Sequence, residues 1–391
     1  MANENNKHFN KFIRVSDNKQ LSLCRQDRVP LQSDCSRTWN VFLCTSKKIR
    51  QDTLEAIFQG KRELFKGLFI DSTDYEWKTY PIIHIDFGNC QASSASELKG
   101  WLQRLLEKIA LNYSLKVAKG LPYYETFSNL IQQLSKIGKT VILIDEYDKI
   151  ISSNIFNPEV DEIREIMRGF FEVIKAQNAS TRFVFITGVT KYAKLSVFSS
   201  MNNLTEISID ERYATMFGYT QKELESNFAD YIESGMKATG MDRKGYLSNL
   251  KIQYDGFCFC LDSETVYNPV SIGQFFYFGG KDCTDFWVET GSTKLLMDIA
   301  KKVDFSIATD ISQPMDAASL RTFDILELAS ASANVSDLKA LLLQSGYLTL
   351  KSKSITGRLV YLGFPNEEVS RSFTSSLIRW KSHEPETWQS L

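Results

Sequence analysis

The sequence predicts an α/β protein: a mainly parallel sheet with helices on both faces, followed by helical and winged-helix-like modules. Three observations carry this. Short β-prone apolar runs end at Phe87, Asp145 and Gly188; amphipathic stretches alternate with them; after about Arg212 the pattern turns to helices and a terminal hairpin. The 391 residues allow two or three domains of roughly 100–200 residues each.

Residues 1–53 hold three of the seven Cys and no sustained amphipathic period. From Leu54, LEAIFQGKRELFKGLFI places Leu54, Ile57, Phe58, Leu64, Phe65 and Leu68 at helical spacing. PIIHIDF (Pro81–Phe87) reads as a buried strand, with a helix N-cap among the Ser residues at 93–96 and a Gly stop at Gly138. Val141–Ile144, four β-prone apolar residues, suit a central parallel strand covered on both faces. A helix over about 159–177 aligns Ile163, Ile166, Met167, Phe170, Phe171 and Ile174, and Thr181–Gly188 is a second central strand. The βαβαβ succession implies parallel pairing. Further on, Thr220 and Glu223 form a capping box, about 316–350 reads as helical, and Gly357 sits in a hairpin turn.

Composition narrows the function. Hydrophobic residues at 43% and charged residues at 24% describe a folded chain. A net charge of −1, from 46 Lys+Arg against 47 Asp+Glu, gives no global basic field for nucleic acid or an anionic membrane. Seven Cys without CxxC pairs fit neither a disulfide scaffold nor a zinc ribbon, and Cys258-x-Cys260 fits packing on one strand face. Three His exclude a His-rich metal site. The first twenty residues lack a signal-peptide core and no run of about 18 apolar residues occurs, so the expectation is a cytoplasmic chain with no membrane partner.

The strongest chemical signal is VILIDEYDK, the Walker B arrangement of P-loop (ASCE) ATPases. A buried strand there carries a carboxylate to the edge of the sheet where Mg²⁺ and phosphates sit. Asp145 would hold Mg²⁺ through water, and Glu146 would orient and deprotonate the attacking water. Thr187, closing the next strand, stands where a γ-phosphate sensor is expected. Solvated strand ends remain the alternative for all three. A phosphate loop, GxxxxGK[ST], is absent: Gly60-Lys61-Arg62 follows a helix, and Gly138-Lys139-Thr140 precedes its strand.

LEAIFQGKRELFKGLFI, WKTYPIIHIDF, VILIDEYDK, RFVFITGVTKYAKLSVFSSMNNLTEISID, ERYATMFGYTQKELE, YDGFCF, VYNPVSI, FWVETGST and SGYLTL together resemble the bacterial AAA-ATPase-like proteins of Bacteroidota type, over about residues 54–375. The resemblance implies a P-loop NTPase-like core, ATP and Mg²⁺ as cofactors, and weight on Lys191 and on Asn202-Asn203 near the nucleotide edge. For these three, turn residues are the alternative. It also implies YVDKT and RPRRFGK[ST] blocks before the LEAIF helix, and a C-terminal PD-(D/E)xK nuclease-like domain. Neither is found as amino acids, so the nuclease activity is not carried over.

Codon degeneracy suggests where the first two blocks went. Thr45–Thr53 can be encoded so that a reading one nucleotide later gives RPRRFGKT. Leu23–Arg28 gives YVDKT under the same shift, and Thr38–Leu43 gives a GTYFY-like strand. Residues 14–53 then read as out of frame, with a few residues lost before Leu54; the alternative is a divergent N-terminal domain. A gap between the strands at 141 and 182 is expected unless 39–45 fill it. A strand, an amide-lined bend and a helix built from the first fifty-odd positions opposite Asp145 would contradict this reading.

The expected organisation is an aberrant segment 1–53, an AAA-ATPase-like core 54–215, a helical lid-like region 216–310 and a winged-helix-like region 311–391. The expected function is an ATPase-like protein with Walker B kept and Walker A lost, an enzyme poor or inactive in hydrolysis; the alternative is a non-catalytic scaffold. Arg212 is a charge stabiliser or a salt-bridged surface residue. Tyr254-Asp255-Gly256 and Tyr267-Asn268-Pro269 read as structural, and Phe275–Phe278 as core. A nucleic-acid-binding wing would rest on Lys351, Lys353 and Arg358; the protein partner is unidentified.

Overall fold

A computed structural model describes residues 39–44, 51–118, 120–190, 204–287, 313–319 and 335–382. The chain divides into two compact units, 17–208 with 321–332, and 209–320 with 1–16 and 333–391. Among the described residues no helix is long and apolar enough to cross a membrane.

The first unit is built on five parallel strands: β1 (Trp39–Cys44), β2 (Ile82–Asp86), β3 (Thr140–Asp145), β4 (Thr181–Gly188) and β5 (Leu204–Glu206), in the order β2-β3-β4-β1-β5. β4 keeps its predicted bounds, and β3 extends the predicted Val141–Ile144 by one residue at each end. Every residue of β3 is buried, with Val141, Ile142, Leu143 and Ile144 fully so. Each such side chain contributes about 1.5–3 kcal/mol over an exposed one. The flanking helices are α1 (Gln51–Phe58), α2 (Ala95–Asn112), α3 (Tyr123–Ser135), α4 (Lys149–Ser153) and α5 (Val160–Ala176). Ser94 caps α2, its side chain accepting from the Glu97 amide. The six apolar residues aligned on α5 are all buried.

The strand order corrects the expected gap. β3 and β4 are hydrogen-bonded neighbours, Val141 through Ile144 opposite Phe183 through Ile186. The slot filled by β1 lies on the far side of β4, between it and β5. Residues 39–44 therefore join the sheet, and α1 follows after 45–50. Those connecting residues lie outside the described ones, as does the out-of-frame reading of 14–53 apart from 39–44 and 51–53.

A second correction concerns the LEAIF stretch. Its helical spacing is interrupted at Gly60, which has φ +72° and lies so close to the Trp77 carbonyl that a Cβ would stand 2.7 Å from it. Two 3₁₀ turns, Arg62–Phe65 and Phe69–Ser72, continue the chain and bury Phe65 and Ile70 against Ala56 and Ile57. At the outer strand β2, the Tyr113 hydroxyl accepts from the Ile82 amide (2.7 Å) and donates to the Ile82 carbonyl (3.1 Å).

The second unit opens with α6 (Gln221–Asn227), α7 (Ala229–Thr239), α8 (Arg243–Tyr254) and α9 (Pro269–Tyr277). The capping box of Thr220 and Glu223 forms as predicted. An aromatic core holds Tyr219, Phe228, Tyr246, Tyr254, Tyr267, Phe275 and Phe276, while Tyr277 and Phe278 are exposed. Beyond it, β6 (Met315–Asp316), β7 (Thr349–Lys353) and β8 (Leu359–Gly363) form an antiparallel sheet in the order β6-β8-β7. Gly357, at φ +69°, lies between β7 and β8, and α10 (Val335–Gln344) and α11 (Glu367–Ser382) complete the unit. The helical stretch expected over about 316–350 gives way to strand at both ends, since Met315–Asp316 pair with β8 and Thr349–Leu350 belong to β7; residues 320–334 lie outside the described ones. Gly256 meets the tail closely: at φ +99°, its Cβ would stand 2.0 Å from the Pro365 carbonyl oxygen.

Candidate functional site

The parallel register assembles the site. Asp86 lies opposite Asp145, and the continuation of β3 onto β4 sets Asp145 beside Thr187, whose backbone is opposite Leu43 of β1. Asp86, Asp145 and Thr187 thus form one row at the carboxyl edge of the sheet. The Asp145 side chain is 7% exposed and accepts from the Thr187 hydroxyl and from the Glu146 amide at 3.0 Å. Of the sequence-derived residues, Asp145, Glu146 and Thr187 are brought together. Lys191, Asn202 and Asn203 lie outside the described residues.

Glu146 leaves the strand with φ +48°, a backbone conformation uncommon for a residue with a side chain. Its carboxylate lies over Gly88: Glu146 Oε2 and Asp86 Oδ1 are 2.6 and 2.8 Å from the point where a Gly88 Cβ would stand. Asp86 caps the turn Phe87–Asn89, accepting from the Gly88 amide (2.8 Å) and the Asn89 side chain (2.9 Å). Asp86, which joins this edge, is not singled out by the sequence reading. Its signal was present, because IIHID ends in an acid just as VILID does.

His84, one alternation below Asp86 on β2, pairs with Glu55 of α1 at 3.2 Å, both side chains about one-third exposed. The bond to Glu55 raises the His84 pKa above its ordinary 6.5 against the opposing effect of burial, with the charges of Asp145 and Asp52 adding to it. The same bond lowers that of Glu55. A raised His value contributes stability that is present in full below 6.5 and lost as pH rises through the folded value. The Glu55 contribution is lost at the other end, as pH falls below the ordinary carboxylate range. The first unit is therefore expected to lose about 0.5–1 kcal/mol between pH 6 and pH 8.5. His84→Gln should flatten that slope in denaturation series, and an unchanged slope would show the pair to be inert.

Other candidates fall away from the site. Arg212 is exposed and held by Asp210, Nε to Oδ1 at 3.0 Å and Nη2 to Oδ2 at 2.6 Å, the salt-bridged alternative. On the hairpin, Lys353 is bound by Asp262 at 2.9 Å and burial pushes the Lys351 pKa down. Cys258 is buried, as a packing role requires, whereas Cys260 is half-buried and neither lies in a strand, which corrects the shared strand face.

The acids at this edge are of the donor type that a hard cation takes. Asp145, Glu146 and Asp86 offer carboxylate oxygens, and Mg²⁺ commonly takes one or two carboxylates with the rest of its shell from water and phosphate. Among the described residues, however, no three or more His, Cys, Asp and Glu side chains are grouped so that they could hold a metal ion by themselves.

A parallel sheet in this order, with two acids closing the strand beside β4, is a P-loop NTPase-like α/β core of the ASCE kind. Residues 46–198 match the AAA-ATPase_like family, described as "Predicted AAA-ATPase". A protein of Azotobacter chroococcum mcd 1, named "Uncharacterized protein in vnfD 5'region", is 31% identical over 344 residues, which span 85% of this chain and 61% of that protein. Among solved structures, the Aeropyrum pernix ORC2 protein in its ADPNP–ADP complexes superposes with a TM-score of 0.35 at 12% identity, covering 93% of this chain and 98% of that one. Drosophila ORC bound to poly(dA/dT) DNA and Cdc6 gives 0.36 at 13% identity, covering 87% and 51%. Superpositions this loose carry no argument about function.

Proposed function

We propose that the first unit is an ATPase-like domain that keeps its acidic, metal-facing edge and has lost its phosphate loop, so that Mg²⁺·ATP binds weakly and hydrolysis is poor or absent. The observation that carries the reading is the row at the carboxyl edge, where buried Asp145 takes the Thr187 hydroxyl and Glu146 stands next in the chain. The connection from β1 to α1, Thr45-Ser46-Lys47-Lys48-Ile49-Arg50, contains no glycine. A phosphate cradle depends on glycine to let successive amides converge on one anion.

Asp145 would hold Mg²⁺ through water, and the bound ion would neutralise phosphate charge. Glu146 would orient and deprotonate a water, Thr187 would meet the terminal phosphate, and Lys191 would stand by the nucleotide. In the domain scheme that goes with this reading, the core spans 54–215 with β1 added to it, followed by a lid-like region 216–310 and a wing 311–391.

Ligand binding stabilises by RT ln(1 + [L]/Kd), so a millimolar-or-weaker ligand at about 1 mM should move the melting temperature by less than about 1 °C. That is the expected result for Mg²⁺·ATP, with Glu146→Gln indistinguishable from the wild type. A Mg²⁺-dependent rise of several degrees would overturn the reading, and so would steady phosphate release that Glu146→Gln abolishes.

A further inference from the structure

Two residues after Glu146 stands a third acid, Asp148, that the scheme above leaves unused. It is 3% exposed, and an isolated carboxylate at that depth is costly unless donors surround it. Three such donors come from the turn that leaves β4. The Val189 amide donates to Oδ1 at 3.1 Å; the Thr190 amide and the Thr190 hydroxyl both donate to Oδ2 at 2.7 Å. Burial pushes the Asp148 carboxyl up, and the bonds from Thr190 and Val189 oppose that shift.

Tyr147 fastens the same two segments. Its amide donates to the Thr187 carbonyl at 3.1 Å and its hydroxyl to the Thr190 carbonyl at 2.8 Å. Gly188 passes between them so closely that a Cβ would stand 2.5 Å from the Tyr147 ring and 2.6 Å from Asp148 Oδ1. Residues 145–148 and 187–190 are thus fastened at each of Thr187, Val189 and Thr190. The Thr187 backbone has little freedom left, and its hydroxyl is directed onto Asp145.

We propose that Asp148 is a positioning residue for the acidic edge: by gathering the donors of the Val189–Thr190 turn it fixes the end of β4 and keeps the Thr187 hydroxyl on Asp145. The inference deepens the function proposed above, because Thr187 is the side chain expected to read the terminal phosphate. Its test needs no nucleotide, so it stands or falls separately.

Asp148→Asn keeps the shape but turns an NH₂ group toward amide or hydroxyl donors, which removes at least one acceptor. Two readouts in the full chain decide. Amide exchange at Val189 and Thr190 should quicken about tenfold, the factor that accompanies loss of one ordinary hydrogen bond. The Thr187 χ1 rotamer, read from three-bond couplings in threonine-labelled protein, should change from one state to an average. Thr190→Val removes one bond of the three and should give the same changes more weakly; it serves as the measured variant should Asp148→Asn fail to fold. Thr190→Ser retains the hydroxyl and should restore the single Thr187 rotamer. A variant that exchanges faster or melts lower while Thr187 stays in one rotamer would reduce Asp148 to a structural tie and overturn the proposal.

Discussion

Glu368→Ala is expected to cost the second unit about 3–5 kcal/mol, a large share of the roughly 5–15 kcal/mol that holds an ordinary domain folded. Glu368 is fully buried at the start of α11. One carboxylate oxygen accepts from the amides of Phe286 (2.7 Å) and Trp287 (3.0 Å), the other from the Ser271 hydroxyl (2.8 Å). Three segments distant in sequence therefore meet on a single side chain. Truncation leaves two backbone amides and a hydroxyl in a dry core, each costing about 1–3 kcal/mol unless the structure relaxes. Glu368→Gln is the discriminating control. Its oxygen can still receive both amides, and its NH₂ can donate to Ser271, so the loss should be about 1–2 kcal/mol. Urea unfolding followed by circular dichroism measures both. Equal and small losses would mean that the carboxylate is not what holds these segments.

The second large effect is a gain. Replacing Thr45–Thr53 by RPRRFGKT followed by a short apolar stretch should raise the affinity for Mg²⁺·ATP by about 1,000-fold, near 4 kcal/mol. The graft supplies glycine-permitted amides, a lysine for the phosphates and a hydroxyl for the metal. It also removes Asp52, an acid in the first turn of α1, where the helix's positive end would otherwise favour an anion. Isothermal titration reads the affinity. Adding Glu146→Gln to the graft should leave binding intact and lower turnover. A graft that folds, as judged by its melting transition, and still binds no nucleotide would show that the strands and acidic edge no longer suit the ligand.

What could be read from the sequence was what depends on neighbours in the chain. The apolar run Val141–Ile144 closed by two acids marks a buried strand arriving at an edge, and the structure places Asp145 and Glu146 at that edge. Thr187 followed from the next such run. The place of β1 was misjudged, because an apolar run shows that a strand is buried and says nothing about which strands flank it. Asp86 escaped because a single acid before Phe-Gly reads as an ordinary strand end. Asp148 and Glu368 could not have been found: one draws its donors from positions more than forty residues away, the other from more than eighty. In sequence, Glu368 looks like an acid in a helix's first turn, normally a surface position.

The phenol of Tyr113 at the margin of β2 has a consequence for self-association. A sheet grows when a neighbouring copy lays a new strand against unpaired amides and carbonyls, the contact that seeds fibrils and strand-swapped dimers. Here the polar groups of Ile82 are already engaged by a side chain from their own chain. Copies of this protein that meet along that margin find its first residue closed to templating, and Tyr113→Phe would reopen it.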